Sequence, residues 1–496
     1  MSLCGEEVGA GSLPSELVVH IFSFLAAPDR LRASAACSHW RECLFYPTLW
    51  PYLRLSLEVS PAELPRLEFL MRKCGWFVPE LRVQFATDYY PVGDAEGAAE
   101  TGEGAAAASD GEAQPLCPQW LDVLRTYLEL VLCVLSSIRH NRNLQKLSLF
   151  GDISILQEHG TLSNTYFGKV DPDGKKIKQI HQLFEEILGN SRQLKWLSCC
   201  FMLEIVTPTS LSSLSNPIAN TMEHLSLLDN PVLGSSPLTT AVELERFVNL
   251  RSLALDFCDF TAQMAGVLAD SNHVPLHRLS LLVHNVSIMH KSLDNIPGDE
   301  NWKALTRNSA NLRVYMMAFD VKNGDMLRIL KPSIPLERFH FDSYITCISG
   351  TVVDLISRQY DNFLTHFILM NDAIDTYGFP DFSANLNEDP LVLLAWRCKR
   401  LTLMAVHGYT VWAYNLIAIA RLLGPNLKVL EVTEESIVLE EELADHEVDP
   451  VHYLIEEVSL GLGRPWHAVM EAELLSAFTD PAPHFYREMQ SFSEGI

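Results

Sequence analysis

The feature that most constrains the fold of this chain is a short apolar unit that recurs along most of its length. The unit has the form apolar-x-x-apolar-x-apolar, and its clear copies begin at Leu144, Leu194, Met222, Leu250 and Leu276. Weaker copies begin at Trp50, Val78, Leu312, Leu336, Leu364, Cys398, Leu427 and Ile455. The alternation of apolar positions in each copy predicts a short strand with one buried face.

The spacing of these units indicates a repeat architecture. From Leu194 onward, successive copies begin 24 to 36 residues apart, and most steps are close to 28. Apolar residues at helical spacing lie between the predicted strands, in residues 177–188, 241–248, 261–269 and 411–423. A strand and a return helix within each step predict stacked repeats built around a parallel sheet.

In its strand motif and repeat length the chain resembles the leucine-rich-repeat proteins. The resemblance implies a solenoid, but an irregular one. The family usually has Asn or Cys three residues after the last leucine of the motif, and most copies in this chain lack it. Only Asn230 and Cys258 occupy that position here, and Asp372 stands there after the copy that begins at Leu364. An unrelated α/β fold with chance spacing remains the alternative interpretation of the pattern.

Residues 13–50 follow a different pattern, which predicts three short helices. Pro14 suits the first turn of a helix, and Leu17, Ile21 and Leu25 recur every four residues after it. Pro28 ends this helix, and two shorter helical stretches follow. So small a group of helices cannot bury all of its large apolar side chains. Some of them are therefore expected to pack on another domain or another protein.

This segment resembles the F-box family in register over about forty residues. The matching residues are Leu13, Pro14, Glu16, Leu17, Ile21, Phe22, Leu25, Asp29, Leu31, Cys37, Trp40, Arg41, Leu49 and Trp50. Ala36 departs from the pattern, because the family usually has Val there. F-boxes of this family dock on a Skp-type adaptor, which connects them to a cullin scaffold and its RING subunit.

The resemblance implies that most of the matching residues contact the adaptor. The predicted adaptor-binding residues are Leu13, Pro14, Leu17, Ile21, Phe22, Leu25, Leu31, Cys37, Trp40, Arg41, Leu49 and Trp50. The alternative is an ordinary amphipathic helical cap on the repeat body, with Trp40 and Trp50 as core residues.

The predicted fold class is α/β, with an N-terminal three-helix F-box followed by an irregular leucine-rich-repeat solenoid. We expect a short lead over residues 1–11, the F-box over 12–50, the repeat body over 50–465 and a C-terminal cap and tail over 466–496. Within the body, residues 91–115 are predicted to be a disordered acidic insertion. No Val, Ile, Leu or aromatic residue occurs between Gly93 and Gln114.

The formal net charge of −25 argues against binding to nucleic acid or to an anionic membrane surface, since either partner needs a basic face. Residues 431–457 contain eleven acidic residues and no Lys or Arg. Within them, Glu440, Glu441 and Glu442 are a candidate loop that attracts a basic surface of a substrate. The alternative interpretation is a solvated loop.

Targeting signals and reactive motifs are not apparent. Residues 1–7 lack the features of a signal peptide, the cysteines are scattered, and the most apolar run, residues 127–138, is too short to cross a bilayer. We therefore expect a cytoplasmic or nuclear protein with no membrane partner. Four histidines cluster at His273, His277, His284 and His290, but Pro275 prevents a helical alignment of the first two. No catalytic residue, metal site or cofactor is predicted, and no enzymatic activity is expected.

Together these features predict the substrate-recognition subunit of an SCF-type (Skp–cullin–F-box) ubiquitin ligase. In this interpretation the F-box binds the Skp-type adaptor and the repeat body binds a protein substrate, whose ubiquitination leads to proteasomal degradation. The alternative is a non-degradative interaction scaffold that binds the adaptor without delivering a substrate.

Overall fold

The computed structural model describes residues 13–86, 118–152, 167–202, 205–228, 237–343, 346–371, 379–381, 388–439, 449–470 and 481–494. The lead over 1–11, the predicted insertion over 91–115 and the candidate acidic loop Glu440, Glu441 and Glu442 lie outside the described residues. The chain divides into two compact units, and the division falls between Ile218 and Ala219.

The strands are short and mostly parallel. They are β1 (Tyr52–Glu58), β2 (Glu80–Ala86), β3 (Lys146–Asp152), β4 (Trp196–Cys200), β5 (His224–Leu228), β6 (Ser252–Asp256), β7 (Arg278–His284), β8 (Arg313–Phe319), β9 (Leu336–Ser343), β10 (His366–Asn371), β11 (Leu403–His407), β12 (Val411–Trp412), β13 (Val429–Val432) and β14 (Ile437–Val438).

Helices precede the first strand and then connect most of the others. They are α1 (Ser15–Ser23), α2 (Ala27–Ser34), α3 (Ser38–Cys43), α4 (Leu64–Cys74), α5 (Pro118–Ile138), α6 (Lys175–Asn190), α7 (Asn216–Ala219), α8 (Ala241–Leu244), α9 (Ala262–Leu268), α10 (Asn285–Lys291), α11 (Asp299–Asn308), α12 (Asn323–Ile329), α13 (Gly350–Gln359), α14 (Pro390–Arg397), α15 (Ala413–Leu423), α16 (Pro450–Leu462) and α17 (Pro481–Glu494).

In the first unit, helices α1 to α3 lead into strands β1 to β4, which pair in parallel and in chain order. One leucine from each strand stands in the same register row, and all four are buried. These residues are Leu53, Leu81, Leu147 and Leu197. The row exists because alternate side chains of a strand point to the same face, so parallel strands in register stack equivalent leucines.

The second unit continues the same plan on its own strands. Strands β5 to β11 and then β13 pair in parallel in chain order, and β12 pairs separately with β14. Leu225, Leu253, Leu279 and Val314 form the corresponding buried row at its start. The predicted fold class is thereby confirmed: an N-terminal trio of helices precedes parallel strands that alternate with helices, as in an irregular leucine-rich-repeat solenoid.

The structure corrects three of the weaker repeat copies. Residues around Ile455 form helix α16 rather than a strand. The copy predicted to begin at Cys398 begins three residues later, at Leu401, in the structure. Met404 pairs with Phe367, which is the second apolar residue of the preceding copy, so Leu401 is the first apolar residue of its own copy. In β8 the register differs by one residue from the predicted register, because Leu279 pairs with Val314 and not with Tyr315. A one-residue change moves every side chain of a strand to the opposite face.

The buried amide typical of such repeats also lies one residue away from the position that the motif predicts. Asn371 is buried, and its Nδ2 donates to the Gly408 carbonyl at 2.9 Å. Gly408 has a φ of +71°, and a Cβ there would lie 2.0 Å from the Asn371 carbonyl oxygen. The turn after β11 therefore requires glycine.

Candidate functional site

Helix α1 separates its apolar residues onto two faces. The inner face holds Val18 and Phe22, which form a small core with Cys43, Leu44 and Leu49. The Phe22 ring contacts the Trp40 ring edge to face, with 5.5 Å between the ring centroids. Residues four apart on a helix share a face, so this packing fixes which side of α1 points outward.

The outer face of the helices presents a patch of large apolar side chains. Leu17 and Ile21 of α1 are 51% and 39% exposed, Phe24 directly after α1 is 76% exposed, and Leu31 of α2 is 58% exposed. We call these four residues the helical patch. Leu17, Ile21 and the C-cap residue Phe24 are spaced i, i+4 and i+7, which places them along one stripe of α1 and its last turn. An exposed apolar cluster of this kind is typical of a surface that binds another protein.

Polar contacts hold the short helices together beneath the helical patch. The Arg30 guanidinium donates to the Leu25 carbonyl at 2.9 Å and to the Leu49 carbonyl at 3.0 Å. The Trp50 indole donates to the Leu44 carbonyl at 2.6 Å. The contacts of Arg30 connect α2 with the residues after α1 and with the turn before β1, so they help to position α1 and α2 relative to each other.

The predicted adaptor-binding residues divide by burial. Pro14, Leu17, Ile21, Leu31 and Arg41 are exposed. Leu13, Leu25, Cys37, Trp40 and Trp50 are partly buried. Phe22 and Leu49 are buried in the core that the helices form among themselves, and their contact with an adaptor stays a prediction.

Phe24 is absent from the predicted adaptor-binding residues, although it is the most exposed member of the helical patch. Its spacing from Leu17 and Ile21 carries the signal, since the three positions lie on one helical stripe. The F-box pattern does not include this position, so a motif comparison passes over it.

The described residues offer little for nucleophilic or metal chemistry. The nine described cysteines are free thiols, and burial raises the pKa of Cys74 and of Cys398 to about 12. Thiols with such pKa values are neutral at pH 7 and poor nucleophiles. His273 contacts the Leu244 carbonyl, and His284 accepts a hydrogen bond from the Val286 amide. In the part of the chain that the structure describes, no three metal-ligating side chains come together.

None of the described helices combines the length and the apolar composition that a membrane span needs.

Comparisons with known proteins found similarity to the N-terminal helical segment and to the whole chain. A family model described as F-box-like matches residues 10–56. F-box only protein 33 of Homo sapiens is 76% identical over 500 residues, which covers all of this chain and 90% of that protein. F-box/LRR-repeat protein 21 of Ovis aries is 22% identical over 461 residues, or 92% of this chain and 88% of the relative. A yeast crystal structure of Rad7 and Elc1 in complex matches 73% of this chain and 88% of its own at 15% identity, with a TM-score of 0.27.

Proposed function

The chain belongs to the family of F-box only protein 33, and from this premise we propose that it is the substrate-recognition subunit of an SCF-type ubiquitin ligase. F-box proteins generally serve as adaptor subunits rather than as catalysts. In this proposal the helical patch binds a Skp-type adaptor, the adaptor connects to cullin and RING subunits, and the repeat body binds a protein substrate.

The helical patch is the observation that supports adaptor binding. Leu17, Ile21, Phe24 and Leu31 project outward from helices whose inner faces are already filled by their own core. Burying such side chains against a partner removes apolar surface from water, at about 25 cal/mol per Å² of apolar area. A partner that covers the patch would gain this free energy without repacking the F-box core.

Catalysis in this proposal is assigned to the assembled ligase and not to side chains of this chain. The chain would hold a substrate close to a ubiquitin-conjugating enzyme carried by the RING subunit, so its contribution is proximity. We further propose that ubiquitination leads to proteasomal degradation and that the protein works in the cytoplasm or nucleus. The free thiols of the described cysteines support a reducing compartment.

Charge substitutions in the helical patch test the assignment. We expect Leu17→Asp and Ile21→Asp to weaken binding of the full chain to a purified Skp-type adaptor by at least about 30-fold, the value for loss of one interface hot spot. Binding is measured by titration calorimetry, and circular dichroism is recorded to verify folding. The matched control is Val242→Asp, which places the same charge on an apolar residue that is 66% exposed in helix α8.

Adaptor affinity within twofold of wild type in both patch variants would contradict the proposal. Delivery of a substrate is tested separately, by asking whether a bound partner protein is lost from cells in an adaptor-dependent manner that proteasome inhibition blocks. Stable partner levels together with intact adaptor binding would instead favour the non-degradative scaffold.

A further inference from the structure

Helix α17 lies on strands of the second unit that are far from it in sequence. The Ser226 hydroxyl of β5 is 3.6 Å from the Met489 sulfur, and the Tyr315 ring of β8 is 5.9 Å from the Phe492 ring. Arg338 of β9 forms an ion pair with Glu488 at 3.0 Å. One helix thus touches three strands that belong to different repeats.

The surface under α17 is formed by side chains on the side of the strands opposite the buried leucine row. Ser226, Ala254, Ser280 and Tyr315 occupy one register row across β5 to β8, each one position after Leu225, Leu253, Leu279 and Val314. Small side chains at three adjacent positions leave room for a helix to approach the strands closely. We call this row and its flanking arginines Arg278 and Arg338 the strand face.

The two arginines of the strand face both contact one aromatic ring of α17. The guanidinium carbons of Arg278 and Arg338 lie 5.2 Å and 5.3 Å from the centroid of the Phe492 ring. Arg278 also donates to the Phe492 carbonyl at 3.1 Å. A cation over an aromatic ring is attracted to the electron-rich face of that ring. Phe492 and the C-terminal end of α17 are therefore bound by charge as well as by apolar contact.

The residues of α17 that face the strands form a compact recognition pattern. Tyr486, Met489 and Phe492 are all at most 5% exposed, and Glu488 precedes Phe492 by four positions. Such anchors at helical spacing are how an amphipathic helix binds in a groove of another protein. An isolated helix of fourteen residues is marginal in water, so α17 depends on this docking for its order.

We infer that the strand face is a binding site for an amphipathic helix of a protein partner, with an acidic residue four positions before an aromatic residue, and that α17 occupies this site until the partner displaces it. The inference rests on the proposed function, since it specifies the kind of segment that the repeat body recognises. α17 competes from within the same chain, where its effective concentration is high.

A labelled peptide with the sequence of residues 481–494 tests the inference by fluorescence anisotropy. The peptide is titrated with the intact full chain and with a released full chain that carries Met489→Asp and Phe492→Asp. We expect the released chain to bind the peptide at least ten times more tightly, because its own helix no longer fills the site. Adding Arg338→Glu to the released chain should weaken binding at least tenfold.

Two controls separate the contacts of the site from general effects of charge. Arg307→Glu reverses an exposed arginine on helix α11 and should leave peptide binding by the released chain unchanged. A peptide with Glu488→Arg should recover affinity for the chain that carries Arg338→Glu, because the two charges are exchanged. Equal peptide affinity, within twofold, of the intact and released chains would overturn the inference, as would full binding after Arg338→Glu.

Should the released chain fail to fold, the single variant Glu488→Arg of the full chain provides the test. It replaces the ion pair with Arg338 by repulsion between two cations, and we expect this variant to bind the wild-type peptide about three to ten times more tightly than wild type does. No gain over wild type would overturn the inference. Neither measurement involves the adaptor, so a failure here is distinguishable from a failure of the proposed function, which the Leu17→Asp and Ile21→Asp variants report.

Discussion

At the scale of single residues, His284 shows how burial sets a pH dependence. Its Nδ1 accepts a hydrogen bond from the Val286 amide at 3.0 Å, and its ring stacks on Phe319 with 4.8 Å between centroids. Burial lowers the pKa of His284 to about 4. The folded protein therefore holds this imidazole neutral, whereas the unfolded chain takes up a proton near pH 6.5.

This difference predicts a loss of stability on acidification. As the pH falls from about 6.5 towards 4, the unfolded state gains a proton that the folded state does not, so the free energy of unfolding decreases. The contribution of His284 amounts to roughly 3 kcal/mol across that range. In His284→Asn the side-chain oxygen can still accept from the Val286 amide but does not titrate. We expect the urea midpoint of this variant to fall less between pH 7.5 and pH 4.5 than that of wild type. Parallel acid dependence of the two proteins would contradict the assignment.

At the scale of secondary-structure elements, one arginine stabilises the arrangement of the F-box helices. Arg30 bridges the carbonyls of Leu25 and Leu49 and so connects the end of α1 with the short turn before β1. Arg32, two residues later, pairs only with Asp29 at the surface, where the two side chains are 81% and 54% exposed. Hydrogen bonds from a charged donor to partly buried carbonyls contribute more to stability than an exposed ion pair does.

The comparison of these two arginines is a prediction about the helices. Arg30→Met should lower the local stability of α1 and α2 by about 1–3 kcal/mol, whereas Arg32→Met should change it by less than about 0.5 kcal/mol. Hydrogen exchange of the α1 and α2 amides in the full chain measures both effects. Similar protection in the two variants would show that Arg30 does not hold the helices together.

The register of strand β8 shows a limit of prediction from sequence patterns. The motif that begins at Leu312 places Tyr315 on the buried leucine face, but pairing with β7 places Val314 there and turns Tyr315 towards α17. Both alternatives have an apolar residue at each inward position from Val314 to Phe319, because this part of β8 is apolar throughout. Only the hydrogen bonds to its neighbour choose between them.

At the scale of the whole molecule, charge governs solubility. The net charge is −25 at pH 7, and the isoelectric point lies near 5.0. Proteins associate most readily where their net charge approaches zero. We therefore predict that light scattering of the purified full chain rises to a maximum near pH 5 and falls again as the pH returns to 7. A maximum above pH 6 would indicate that association depends on a local patch and not on net charge.

The sequence by itself determined the kinds of elements in this protein and most of their order. The spacing of Leu144, Leu194, Met222 and Leu250 predicted parallel strands, and the helical spacing of Leu17 and Ile21 predicted an apolar helix with an exposed face. These predictions succeed because they rest on periodicity, which depends only on neighbours in the chain.

The tertiary structure decided which side chains are buried and which residues distant in the chain contact each other. It enclosed Phe22 and Leu49, exposed Phe24, and placed Phe492 against Arg278 and Arg338, although Arg278 lies 214 residues before Phe492. The C-terminal cap and tail predicted over residues 466–496 thus contain a helix that lies on the strand face. No local pattern specifies such a contact, since it forms only when strands from separate repeats assemble the surface on which the helix packs.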